Sequence, residues 1–169
     1  MILIKPSYSN YDNVFFDYKI NLIDGKTLEL SKYSDHAVLL VNTASYCGFT
    51  KQYNDLQKLW EIYKEKKFLV VAIPSNSFNQ EKNNNTDIKD FCETNFNISF
   101  PMTSKYNVKG NDAHPVYVWA KKTYGNSTVP KWNFHKILIN KDGKVQDTFA
   151  SFTNPMSNKI RNQIERIIK

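Results

Sequence analysis

The sequence predicts an α/β fold, a central mixed sheet flanked by helices, with an extra β-hairpin on its N-terminal side. Three observations carry that prediction. Two apolar runs, Val38–Val41 and Phe68–Ile73, are short enough to be fully buried strands. Between them Tyr53, Leu56, Leu59, Trp60 and Tyr63 recur at helical spacing. Two polar glycine turns, Asp24-Gly25 and Lys141-Asp142-Gly143, each separate a pair of strand-like segments.

The first pair is Phe15–Leu22, which alternates apolar and polar residues, and Thr27–Leu30. A buried strand over 37–43 follows, then a helix over 51–66. The run from Phe68 is a second buried strand, stopped by Pro74. Such a strand–helix–strand unit is parallel and right-handed. Asn85 or Thr86 caps the next helix, which runs to about Phe96 with Asp87 in its first turn. A helix over 113–122 has Pro115 near its start, where proline is tolerated. Segments 134–140 and 145–149 form the second hairpin and add antiparallel strands. A closing helix sets Met156, Ile160, Ile164 and Ile167 on one face. This is the thioredoxin-like order with an added hairpin. The chain reads as one domain over 1–169, its mixed, polar residues 1–13 as a flexible lead-in.

A chain of 169 residues, 41% apolar and 14% aromatic, has the material for a packed core and is not disordered. Its net charge of +7 raises the question of nucleic acid. Only Arg161 and Arg166 are arginines, however, and the lysines are dispersed, so neither forks nor a basic stripe is present. The charge reads as a solvated surface that can steer an acidic protein partner. Two cysteines, Cys47 and Cys92, are too few for a disulfide-stapled secreted fold. With no membrane-length apolar run and no signal peptide, an intracellular, cytoplasmic protein without stable membrane insertion is expected. Organellar targeting stays open, because a trimmed precursor would have lost its leader. No metal-ligand spacing, phosphate loop or dinucleotide fingerprint is present, and no cofactor is expected.

Cys47 holds the chemical interest. It follows a buried strand and precedes a helix, at the mouth of an α/β sheet. Backbone N–H groups and the helix dipole there favour a thiolate. A thiolate can attack a peroxide O–O bond and become a sulfenic acid. A small buried core cysteine is the plainer alternative.

The stretch "NTASYCGFT" around Cys47 closely resembles the nucleophile motif of the glutathione peroxidase family. So do "IPSNSFNQE", "NISFPM", "AHPVYVW" and "KWNFHKILINKDGKV", in the family's order over nearly the whole chain. The resemblance implies a thioredoxin-like fold and a catalytic set of Cys47, Gln80, Trp132 and Asn133. The chemistry agrees, since two amides and an indole N–H are neutral donors suited to a thiolate. Departures are Ser75 for a frequent cysteine, Ser77 for a glutamine, a stretch from Phe78 to Gln80 one residue short, and Lys51 for a proline.

Within the family, "DIKDFCETNF" places Cys92 at the resolving cysteine of the non-selenium, thioredoxin-dependent branch. The implied cycle oxidises Cys47, condenses it with Cys92 and returns the disulfide to thioredoxin. Hydrogen peroxide and organic or lipid hydroperoxides are the implied substrates. Glutathione is a weaker reductant, for want of an arginine cluster to hold its carboxylates. A monomer is expected, because no large insertion lies between Phe100 and Lys131. Cys92 shares an apolar helical face with Ile88 and Phe91, so a purely structural cysteine fits as well. A peroxide sensor relaying oxidation to a partner protein would use the same two thiols. The three histidines suggest no Cys–His dyad. Ala44 and Leu40 stand where a peroxiredoxin would carry threonine and proline.

Overall fold

The computed structural model describes residues 13–169, so the lead-in expected over 1–13 lies outside the described residues except for Asn13. Four strands form the central sheet: β3 (Ala37–Thr43), β4 (Phe68–Pro74), β5 (Lys136–Ile139) and β6 (Val145–Phe149), in the order β4-β3-β5-β6. β3 pairs parallel with β4 and antiparallel with β5, which pairs antiparallel with β6. The parallel pair needs a crossover, and α1 (Gln52–Tyr63) supplies it. This is the expected thioredoxin-like arrangement.

Every residue of β3 and β4 is buried, because both faces of the sheet are covered. One face packs Leu39, Val41, Val70 and Leu138 under α1, α2 (Asn85–Phe96) and α4 (Asn158–Ile168). The other packs Val38, Leu40, Leu69 and Val71 under α3 (Pro115–Tyr124) and the N-terminal segment. Alternation along each strand thus feeds two cores.

The extra hairpin exists but is short: β1 (Lys19–Asn21) against β2 (Thr27–Glu29). The strand expected from Phe15 does not form. Phe15 and Phe16 are both buried, which strand alternation forbids on a one-faced hairpin. Residues Phe15–Asp17 instead make a 3-10 turn, with the Asp17 carboxylate accepting from the Val14 N–H. Phe16 packs against Gly143 in the β5–β6 turn. Gly143 has φ +76°, and a Cβ there would lie 2.9 Å from both Phe16 and Val14.

Capping explains the remaining shifts. The N-cap of α2 is Asn84, one or two residues before the expected Asn85 or Thr86; its Oδ1 accepts from the Asp87 N–H at 2.8 Å. α2 ends on Asn97 in the left-handed region. At α3, His114 caps through Nδ1, 3.2 Å from the Val116 N–H, with Pro115 as first helical residue. β5 starts later than expected because Phe134 has φ +62° and turns the chain out of the ladder. Met156 precedes α4 rather than lying on it, while Ile160 and Ile164 are buried as anticipated.

Candidate active site

Three loops meet at one edge of the sheet. The first leaves the C-terminal end of β3, the second leaves the C-terminal end of β4, and the third enters β5, whose antiparallel start lies beside the end of β3. They carry Cys47, Gln80, and Trp132 with Asn133.

The Cys47 loop is a chain of turns leading into α1. Thr50 N–H donates to the Cys47 carbonyl at 3.0 Å, and Gln52 N–H to the Phe49 carbonyl at 2.8 Å. The Thr50 hydroxyl accepts from the Cys47 N–H (3.0 Å) and donates to the Ala44 carbonyl (2.9 Å). Thr50, three residues after the cysteine, therefore acts as a local cap that fixes the turn. Cys47 is half-buried, and the Phe49 N–H donates to its Sγ at 3.4 Å. Anion-friendly backbone thus faces the sulfur.

The loops are tied by hydrogen bonds. Tyr46 N–H donates to the Gln80 carbonyl at 2.9 Å. Asn133, fully buried, donates through Nδ2 to Gln80 Oε1 at 2.9 Å. Asn42, on β3, donates to the Trp132 carbonyl at 3.0 Å, and its own carbonyl accepts from the Phe134 N–H. Trp132 leans on Phe78, centroids 5.3 Å apart, and stays 40% exposed. The structure thus joins Gln80 to Asn133 directly, and joins both, with Trp132, to the strand and loop that carry Cys47.

Glu81, buried next to Gln80, was not singled out from sequence. Its Oε1 accepts from the Ser45 N–H (3.2 Å) and the Lys82 N–H (2.7 Å), while its own N–H donates to Asn76 Oδ1 (3.1 Å). Burial raises its pKa, and the bonds from Ser45 and Lys82 pull it back. Oε2 is buried with no partner among the described residues. The signal available was an acidic residue inside a loop of small polar residues. Such a residue can cross-brace two loops only when tertiary structure supplies the N–H groups.

Cys92 lies elsewhere. It sits in α2, 1% exposed, in the core formed with Ile88, Tyr53 and Phe100. Burial pushes its thiol pKa up to about 12, with the Tyr53 hydroxyl acting in the opposite direction. Both cysteines are free thiols. Of the histidines, His135 is buried beside the site, and burial drives its pKa down to about 4. Lys136 is fully buried, and its Nζ donates to Gln52 Oε1 (2.6 Å) and to the carbonyls of Ser151 (3.1 Å) and Thr153 (2.7 Å). It anchors the loop after β6 to the start of α1. Among the described residues no His, Cys, Asp and Glu cluster could hold a metal.

The comparisons with known proteins bear on this geometry. The glutathione peroxidase family model matches residues 15–121. A glutathione peroxidase homolog of Halalkalibacterium halodurans is 41% identical over 90% of this chain and 98% of its own. A hydroperoxy fatty acid reductase of Synechocystis is 34% identical over 93% of this chain and 97% of its own. The crystal structure of Trgpx in its apo form superposes with a TM-score of 0.73 at 38% identity, covering 92% of this chain and 95% of that one. The chain belongs to the glutathione peroxidase family and is a peroxidase.

Proposed function

We propose that the protein is a two-cysteine thiol peroxidase that reduces hydrogen peroxide and organic or lipid hydroperoxides at Cys47 and is recycled by thioredoxin. The reading is supported by the half-buried Cys47, bonded at Sγ by a backbone N–H, and by the hydrogen bonds that tie the Gln80 loop and the Trp132–Asn133 segment to its loop and strand. Asn133 occupies Gln80 Oε1, which leaves the Gln80 amide N–H groups as donors toward the sulfur and the peroxide. The Trp132 indole N–H is the third donor.

The Cys47 thiolate attacks the terminal peroxide oxygen. An S–O bond forms, the O–O bond breaks, and the departing alkoxide or hydroxide takes a proton to leave as alcohol or water. Cys92 then attacks the sulfenic sulfur: the S–S bond forms, the S–O bond breaks, and water leaves. Thioredoxin supplies two electrons through a mixed disulfide.

Burial explains why Cys92 waits. With a pKa of about 12 it is almost wholly neutral near pH 7. A solvent-exposed cysteine near 8.5 has about 10³-fold more thiolate. Resolution therefore requires α2 to unwind locally, bringing the Cα atoms within about 7 Å for the bridge. Two weak helix formers within the helix, Asn85 and Asn95, keep that opening cheap. The protein works as an intracellular monomer with an open site, and glutathione serves poorly as donor. Among the described residues no helix is long and apolar enough to cross a membrane.

The test is peroxide consumption with thioredoxin or glutathione as donor, in wild type and Cys92→Ser. Faster turnover with thioredoxin, lost in Cys92→Ser, supports the cycle. Equal turnover in both proteins removes Cys92 from it.

A further inference from the structure

The Lys82 side chain joins the two cysteine-bearing segments. Its Nζ donates to the Tyr46 hydroxyl at 2.7 Å. The same atom stands 4.6 Å from the centroid of the Tyr46 ring and 5.1 Å from that of the Phe91 ring. Tyr46 immediately precedes Cys47, and Phe91 immediately precedes Cys92 on α2. One ammonium therefore touches the chain neighbours of both thiols, and each ring quadrupole attracts it. The bond to the Tyr46 hydroxyl favours its charged form and raises its pKa above the ordinary lysine value.

The Lys82 end of this contact is fixed. Its N–H donates to Glu81 Oε1 at 2.7 Å, and its carbonyl accepts from Lys105 Nζ at 3.2 Å. The Asn83 carbonyl accepts from the same Lys105 ammonium at 2.6 Å. Phe91 is the end that can move. It is half-buried in the middle of α2, the helix that must unwind to release Cys92.

The geometry points to Lys82 as the positioning residue that latches α2 to the nucleophile loop and sets how fast Cys92 is released to Cys47. The inference rests on the two-cysteine cycle proposed above and adds the residue that times its second step. While the ammonium holds Phe91, α2 stays wound and Cys92 stays buried. Opening the helix breaks the Phe91 contact and leaves Lys82 on Tyr46.

The test is stopped-flow oxidation of the reduced full chain by excess hydrogen peroxide, with the disulfide identified by mass spectrometry. A peroxide-dependent phase reports oxidation of Cys47, and a peroxide-independent phase reports resolution by Cys92. Lys82→Met keeps the length of the side chain and removes its charge. It speeds resolution by about fivefold, the factor one such contact carries, and leaves the first phase within about twofold of wild type. Lys82→Arg keeps a cation between the rings and resolves like wild type. Lys66→Met removes an ammonium 6.0 Å from the Tyr63 ring, beyond the far end of α1, and leaves both phases unchanged. In the wild type, NMR finds the Lys82 Cε protons shifted upfield by the two rings in the reduced form, and less so in the disulfide form. Three results overturn the latch alone: resolution in Lys82→Met that is unchanged or slower, a Lys82→Arg as fast as Lys82→Met, or unshifted Cε protons in the reduced form. A wild type in which peroxide yields no Cys47–Cys92 disulfide overturns the two-cysteine cycle and the latch with it.

Discussion

Replacing Glu81 separates its hydrogen bonds from its charge. The Ser45 N–H that it accepts is buried, and losing that acceptor costs about 1–3 kcal/mol. The Lys82 N–H is half-buried and can recover water, adding about 1 kcal/mol at most. Glu81→Ala therefore destabilises by about 1–4 kcal/mol, a fall in Tm of roughly 2–16 °C for a domain of this size. It also loosens the turn two residues before Cys47, and oxidation by peroxide slows. Glu81→Gln keeps a carbonyl acceptor for both N–H groups and removes the charge. The sign follows from the raised pKa: the folded state holds the Glu81 proton more tightly than the unfolded state, so stability is lost as pH rises through the folded pKa. Glu81→Gln escapes that loss and is more stable than wild type at pH 7. The advantage vanishes once pH falls below the ordinary carboxylate range of about 4, where wild type is protonated in both states. Thermal unfolding of the three proteins at neutral and acid pH measures both effects. An alanine variant as stable as wild type, or a glutamine advantage that persists unchanged in acid, refutes the brace.

Further predictions concern the remaining anchors. On the proposed mechanism, Gln80→Ala removes one of the three amide and indole donors and lowers the rate constant of Cys47 with peroxide about 10²-fold, read by stopped-flow fluorescence; a change under threefold would remove Gln80 from the chemistry. His135, with its folded pKa near 4 against about 6.5 unfolded, contributes stability that is complete above pH 6.5 and drains away as pH falls toward 4. The loss amounts to at most about 3 kcal/mol. His135→Leu flattens this part of the stability–pH curve, and an unflattened curve contradicts the assignment. Gly143→Ala places a methyl against Phe16 and Val14 at positive φ and lowers stability by about 1–3 kcal/mol in denaturant unfolding. A neutral substitution there would show that the turn does not pack on the N-terminal segment.

The sheet was legible because its signal is local. Uniformly apolar runs at β3 and β4, a 3.6-residue stripe between them and a glycine turn after β5 each need only a few neighbouring residues to read. The parts that escaped depend on contacts distant in sequence. The segment from Phe16 to Leu22 alternates like a strand, yet Phe15 and Phe16 are both buried because α3 and the Gly143 turn cover them. Phe134 ends the regular ladder because its positive φ turns the chain, while its N–H still bonds the Asn42 carbonyl of β3. Cys47 stood out by position, whereas Gln80, Trp132 and Asn133 became visible only through the family resemblance. Alone they read as loop amides and a core aromatic. Thr50 and Glu81 were missed since a hydroxyl or carboxylate becomes a brace only when folding brings N–H groups to it.

The central claim is that Cys47 and Cys92 form one redox pair. Reduced protein treated with one equivalent of hydrogen peroxide, digested under thiol-blocking conditions and read by mass spectrometry, measures it directly. The account predicts a Cys47–Cys92 disulfide that thioredoxin returns to two thiols, with loss of hydrogen-exchange protection across Asp87–Asn95 in the oxidised form. Cys47 recovered as a trapped sulfenic acid beside an unmodified Cys92, with the α2 amides equally protected in both states, would contradict it.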